Sequence, residues 1–177
     1  MKRLCLLRHA KSDWSDPSSN DFDRPINARG AKTADFMAQY IAQCRYRPDY
    51  VLCSSARRAT QTCTPLVAKL GASAPVEYRD ILYHAMPDIL LSEIQGAPDK
   101  ATTLLIVAHN PGVVLLAMAL SRDPDDDISM RVAHGVPTGG FIVIEFPDAE
   151  HWSEISEGEG NIVFFGCPRD LMSEGLS

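Results

Sequence analysis

Two histidines and a small set of arginines stand where short apolar runs end. Arg8-His9 follows Leu4-Cys5-Leu6-Leu7, Arg57-Arg58 lies one turn beyond Tyr50-Val51-Leu52-Cys53-Ser54, and His109-Asn110 follows Thr103-Leu104-Leu105-Ile106-Val107-Ala108. An imidazole attacks phosphorus when one ring nitrogen is unprotonated and the other is held by a hydrogen bond. The three equatorial oxygens of the transferring group then need fixed donors, a task suited to the planar guanidinium. Two arginines and a second histidine meet that need without a metal. A single histidine at a strand end is more often structural, so the joint pattern carries the information.

The runs that deliver these residues read as buried strands. Each is continuously apolar, as a strand covered on both faces must be. The spacing predicts strands over 4–7, 50–54, 103–108 and 141–146, with a short one at 76–78. Phe141–Phe146 is expected to pair with Trp152–Ser156 and Val163–Phe165. Ala34, Met37, Ala38 and Ile41 recur at helical spacing and predict a helix over 31–44. Further helices are expected over about 56–70, from Pro87 through Ile94, and from Pro111 to about Leu120. Ser12 to Gly30 is rich in Asp, Ser, Pro and Asn and reads as a long loop, one wall of a pocket. Asp123–Asp127 reads as a loop. Strands alternating with helices imply an α/β three-layer sandwich, with a mostly parallel central sheet, helices on both faces and the site at the strand carboxyl ends.

Composition narrows the function classes. A chain of 177 residues with 45% apolar and 23% charged residues is expected to form a single packed domain over 1–177. A net charge of −6 argues against a nucleic-acid partner, whose phosphates demand Lys and Arg. No stretch approaches the ~20 apolar residues of a membrane span, and Leu4–Leu7 is too short for a signal-peptide core. A cytoplasmic protein without membrane attachment is expected. The odd set of Cys5, Cys44, Cys53, Cys63 and Cys167 lacks Cys-x-x-Cys spacing and reads as reduced thiols.

Four segments in order resemble the histidine phosphatase superfamily, and within it the small phosphohistidine phosphatases of the SixA type. Leu6-Leu7-Arg8-His9-Ala10-Lys11-Ser12 is similar to the Arg-His signature, with Ala where many members carry Gly. Asp21-Phe22-Asp23-Arg24-Pro25-Ile26-Asn27-Ala28-Arg29-Gly30 resembles the small-phosphatase pattern Asp-x-x-Arg-Pro-Leu-x-x-x-Gly, with Ile26 for Leu. Ser54 to Thr62 is similar to Ser-x-x-x-Arg-Ala-x-Gln-Thr, and Val107-Ala108-His109-Asn110-Pro111-Gly112 to the second-histidine segment. With Pro137-Thr138-Gly139 and Pro168-Arg169-Asp170-Leu171, the resemblance spans nearly the whole chain. It implies that His9 becomes phosphorylated, that Arg8 and Arg58 bind the phosphoryl oxygens, and that His109 donates to the same group. The arginine directly before Ala59 is selected, while Arg57 points about 100° around the helix, toward solvent. No cofactor and no metal are implied.

One departure bears on the substrate. Larger members carry a glutamate in the region that here reads Arg79-Asp80-Ile81-Leu82-Tyr83-His84-Ala85, and none is present. An alkoxide leaving group gains ~10²–10⁴-fold from protonation, whereas a phosphohistidine can leave as neutral imidazole. A phosphorylated protein bearing phosphohistidine is therefore the expected substrate. Mutase or phosphomonoesterase action on small phosphate esters is the alternative, followed by a phosphohistidine-binding module without turnover. Asp80, His84 and Asp88 remain candidate substitutes for the missing acid, and each is read first as structural or solvated. The five histidines show no metal-ligand spacing such as His-x-x-x-His. Nothing in the sequence sets the oligomeric state.

Overall fold

The computed structural model describes residues 1–174. Six strands form one sheet: β1 (Lys2–Arg8), β2 (Tyr50–Ser54), β3 (Val76–Arg79), β4 (Thr103–Ala108), β5 (Phe141–Phe146) and β6 (Asn161–Gly166). Their order is β3-β2-β4-β1-β5-β6. The pairs β3/β2, β2/β4 and β4/β1 are parallel, and β5 runs antiparallel to both β1 and β6. The mostly parallel sheet expected from the sequence is present.

Side-chain alternation along the strands splits the core into two layers. Leu4, Leu6, Leu52, Leu104, Ile106, Ile142 and Ile144 face one way. They pack under α3 (Pro87–Gln95), α4 (Gly112–Leu120) and α5 (Asp127–His134). Cys5, Leu7, Val51, Cys53, Leu105, Val107, Phe141 and Val143 face the other way, under α1 (Ala28–Gln43), α2 (Arg57–Leu70) and α6 (Pro168–Glu174). Covering both faces explains why β1, β2 and β4 read as unbroken apolar runs rather than alternating ones.

Several boundaries differ from expectation. α1 starts at Ala28, three residues early, because Asn27 caps it: its side-chain oxygen accepts from the Gly30 N–H at 2.8 Å. The long loop therefore ends sooner, and it is tied down by a bridge between Ser12 and Ile26. Trp152–Ser156 is not a strand. Trp152–Glu154 forms a 3₁₀ turn whose buried indole donates to the Ala101 carbonyl at 2.9 Å, so the apolar side chain anchors a turn instead of a ladder. The acidic loop at 123–127 runs into α5, capped by the Asp126 carboxylate on the Ser129 N–H. α5 and α6 fall outside the sequence expectations, being only eight and seven residues long.

The start of α4 touches the loop before α3. A Cβ on Gly112 would collide with the Ala85 carbonyl and lie 3.2 Å from Leu90 Cδ1. Gly112→Ala should therefore destabilise the fold by ~1–3 kcal/mol in urea unfolding. Gly96→Ala, whose Cβ meets only ordinary contacts, should stay within about 0.5 kcal/mol of the parent.

Candidate active site

β1 and β4 are neighbours, with Arg8 paired to Ala108, so their carboxyl ends release His9 and His109 side by side. The ring centroids are 5.1 Å apart. β2 lies on the far side of β4 and ends in Ser54, from which α2 begins within three residues and carries Arg58 in its first turn. Three of the four parallel strands thus supply the site. Its key side chains are buried: His9 is 8% exposed, Arg58 4% and His109 3%.

The tautomer of His9 follows from its partners. Nδ1 lies 2.8 Å from the Ala10 carbonyl, which can only accept, so Nδ1 carries the proton and Nε2 presents a lone pair. Arg58 Nε–H donates to that Nε2 at 3.3 Å. The Ala10 N–H is held in turn by Thr62 Oγ1 at 2.9 Å, which itself donates to the Arg58 carbonyl. Strand end and helix are therefore stitched together around His9. His109 Nε2 is 2.8 Å from Ser54 Oγ.

Electrostatics keep both imidazoles neutral. Burial pushes His9 down to about 4, with Arg58 and Arg8 adding to the effect and the Ala10 carbonyl opposing it. Burial likewise lowers His109 to about 3, assisted by His9 and Arg58. Desolvation also lowers Arg8. Arg8 Nη1 donates to the Val136 carbonyl at 2.8 Å, and Asn110 Nδ2 reaches the same oxygen at 3.0 Å. Among the described residues, Arg8 Nε has no protein partner.

Asp21, from the long loop, organises the other wall. Its Oδ2 pairs with Arg58 Nη2 at 3.0 Å and accepts from the Tyr83 hydroxyl at 2.6 Å. Its backbone carbonyl accepts from Arg58 Nη1, and its Oδ1 pairs with Arg24 at 3.2 Å. Partial burial raises this carboxyl, but the Tyr83 hydroxyl and Arg58 outweigh it and bring the group down to about 2. His84 Nε2 sits 3.1 Å from the same Oδ2 and 3.2 Å from Arg58 Nη2.

All four residues singled out in the sequence meet here, and Arg57 is exposed as its helical position requires. The expectation of a solvated or structural His84 holds, since it is exposed, and it meets the cluster through Asp21 and Arg58. It adopts a left-handed backbone with φ 53°, and its ring lies 5.5 Å from that of His109. Asp80 bonds to Ser55 outside the cluster, and Asp88 stays exposed in the first turn of α3. Asp21 and Tyr83 were given no role from sequence. The signals were Asp21 at the head of its Asp-x-x-Arg-Pro segment and Tyr83-His84 in the stretch searched for a glutamate. Among the described residues, no group of three or more His, Cys, Asp or Glu side chains is disposed to hold a metal ion.

A family model described as "Histidine phosphatase superfamily (branch 1)" matches residues 4–84. An uncharacterised protein of Mycobacterium tuberculosis is 36% identical over 165 residues, covering 92% of this chain and 100% of its own length. Among solved structures, a provisionally assigned phosphohistidine phosphatase SixA from Agrobacterium tumefaciens is 30% identical, with 94% of this chain and 98% of that chain covered and a TM-score of 0.77. A second such protein, from Nakamurella multipartitia, is 29% identical over 94% of this chain and 96% of its own, with a TM-score of 0.79.

The two depressed imidazoles make stability depend on pH. An unfolded histidine takes up its proton near 6.5, while the folded ones do so only near 4 and near 3. Between those values the unfolded state binds more protons, so stability falls as pH falls from about 6.5 toward 4. Asp21, lowered from 3.8 to about 2, acts only below that window, and His151, raised by its bond to Asp99, works in the opposite sense. Urea unfolding between pH 4.5 and 7 should show a slope of up to about 1.4 kcal/mol per pH unit for each histidine. His109→Gln should remove about half of the combined effect, and an unchanged slope would contradict the assignment.

Proposed function

Since the chain belongs to the histidine phosphatase superfamily and is a phosphatase of its SixA-type branch, we propose that it removes the phosphoryl group from phosphohistidine in a protein, through a phosphohistidine formed on its own His9. The observation that carries this reading is the His9 ring, fixed by the Ala10 carbonyl with an unprotonated Nε2 beside Arg58 and His109.

In the first step Nε2 of His9 bonds to phosphorus as the bond from phosphorus to the substrate imidazole breaks. The departing ring keeps the electron pair and leaves as neutral imidazole when its other nitrogen already carries a proton, and otherwise takes one from solvent as it departs. In the second step water attacks the same phosphorus, the His9–phosphorus bond breaks, and inorganic phosphate leaves. Arg58 and Arg8 neutralise the oxygens, and His109 donates to them. A low intrinsic basicity suits His9 to both steps, because the ring stays unprotonated for attack and is a good leaving group afterwards. Two guanidiniums supply the charge a metal would otherwise bring.

During turnover, acid-labile and base-stable phosphate should be trapped on the wild-type protein and absent from His9→Ala. Exhaustive chelation should leave turnover unchanged. Normal turnover by the His9 variant, or a loss on chelation restored only by a divalent ion, would reject the mechanism.

Small phosphate esters form the second reading, and His84 is what favours it. An imidazole next to the Asp21 carboxylate stands in the stretch that lacks a glutamate, where it can protonate an alkoxide. The two readings separate in kcat/KM for a phosphohistidine protein against phosphoserine. A ratio above about ten is expected, since an unassisted alkoxide forfeits ~10²–10⁴-fold. His84→Ala should lower ester turnover more than phosphoramidate turnover. A ratio near one in the wild type would shift the assignment to esters and leave the His9 chemistry intact.

A further inference from the structure

Beside the site, an open groove of about 690 Å³ runs between the start of α1, the start of α6 and the loop after α5. Its rim carries Lys11, Arg29, Lys32 and Arg169, all exposed, and no aspartate or glutamate lines it. Pro137 and Met172 add exposed apolar surface between the cations. In a chain of net charge −6, four cations on one groove oppose the overall balance.

Two observations separate this cluster from an ordinary solvated face. Among the described residues, none of the four cations is in an ion pair or donates a side-chain hydrogen bond, although Asp170 adjoins Arg169. Arg29 and Lys32 also stand at the amino-terminal end of α1, whose first turn carries no carboxylate. The helix macrodipole disfavours positive charge there, so these side chains are placed against local stability. Such placement points to a use outside the fold.

The groove is joined to the catalytic cluster by backbone. Lys11 is two residues from His9, and the loop holding Pro137 follows Val136, whose carbonyl accepts from Arg8 and Asn110. The Gly139 N–H, at the end of that loop, donates to the carbonyls of Arg8 and His9. A body lying in the groove therefore abuts the phosphoryl site.

We propose that this groove docks an acidic protein face surrounding the phosphohistidine, which rests on the phosphohistidine reading above and adds the partner's charge. Cations interleaved with apolar side chains suit a protein surface. No aromatic side chain lines the groove to stack a base, which disfavours single-stranded nucleic acid. A small anion would call for buried, converging donors, and all four cations are exposed.

The test compares the wild type with an Arg29→Glu/Lys32→Glu/Arg169→Glu variant on three substrates: a strongly acidic protein and a basic histone, both phosphorylated on histidine with phosphoramidate, and free phosphohistidine. None of these three side chains takes part in the catalytic cluster, and Glu near the start of α1 suits the macrodipole, so the variant should fold. For the acidic protein, kcat/KM should fall at least about tenfold, and its salt dependence should flatten. Free phosphohistidine should be hydrolysed as before, and the histone no more slowly. An unchanged rate on the acidic protein, or an equal loss on free phosphohistidine, would overturn the docking surface while leaving the substrate reading in place. A wild type that cleaves free phosphohistidine but neither protein would overturn the substrate reading and the docking proposal together.

Discussion

The bond from His9 Nδ1–H to the Ala10 carbonyl, made just beyond the buried end of β1, is the contact on which the rest of the site depends. A carbonyl accepts and never donates, so it dictates which nitrogen carries the proton. With that nitrogen fixed, the other carries the lone pair of the neutral ring. The surroundings then matter in a specific way. Arg58 and Arg8 beside an imidazole disfavour a second proton, and burial disfavours it more. The same guanidiniums that would repel an imidazolium attract a phosphoryl dianion. One electrostatic arrangement thus keeps the ring neutral and makes its surroundings favourable to a phosphoryl anion.

Such an arrangement needs a scaffold that tolerates clustered cations. Parallel strands supply it, because β1, β2 and β4 end on the same edge, and each ends where an apolar run stops. Their order places β4 between β2 and β1, so residues 8–9, 54–58 and 109 converge although they are far apart in sequence. The buried guanidinium of Arg58 is offset by Asp21, a loop carboxylate, and not by a residue of the sheet. Loop residues 12–27 therefore do more than wall the pocket. They hold the counter-ion that orients the chief phosphate-binding candidate.

Much of this was legible in the sequence, for a physical reason. Strands covered on both faces are unbroken apolar runs, so Leu4–Leu7, Tyr50–Ser54 and Thr103–Ala108 announced themselves, and so did the polar residues that end them. Arg58 was separable from Arg57 because helical geometry sends neighbours in different directions. What stayed hidden depends on tertiary contact. Trp152 has the composition of a strand residue, and only its bond to the Ala101 carbonyl makes it the anchor of a turn. His84 lies in a short irregular stretch without periodicity, and its approach to Asp21 and Arg58 follows from a left-handed backbone that no pattern of side chains advertises.

His84 also sharpens the logic of the missing glutamate. A carboxylic acid among these arginines would be held ionised, as Asp21 is, and a carboxylate near 2 is a poor proton donor at neutral pH. His84, whose Nε2 lies 3.1 Å from Asp21 Oδ2 and 3.2 Å from Arg58 Nη2, stands next to that carboxylate. Asp21 balances the charge of Arg58, and His84 meets the same carboxylate from its exposed side. A phosphohistidine substrate makes little demand on a proton donor, since its leaving group can depart as a neutral ring. Under the ester reading, a need for His84 is thus a property of the substrate's leaving group as much as of the enzyme, and varying that group separates the two readings.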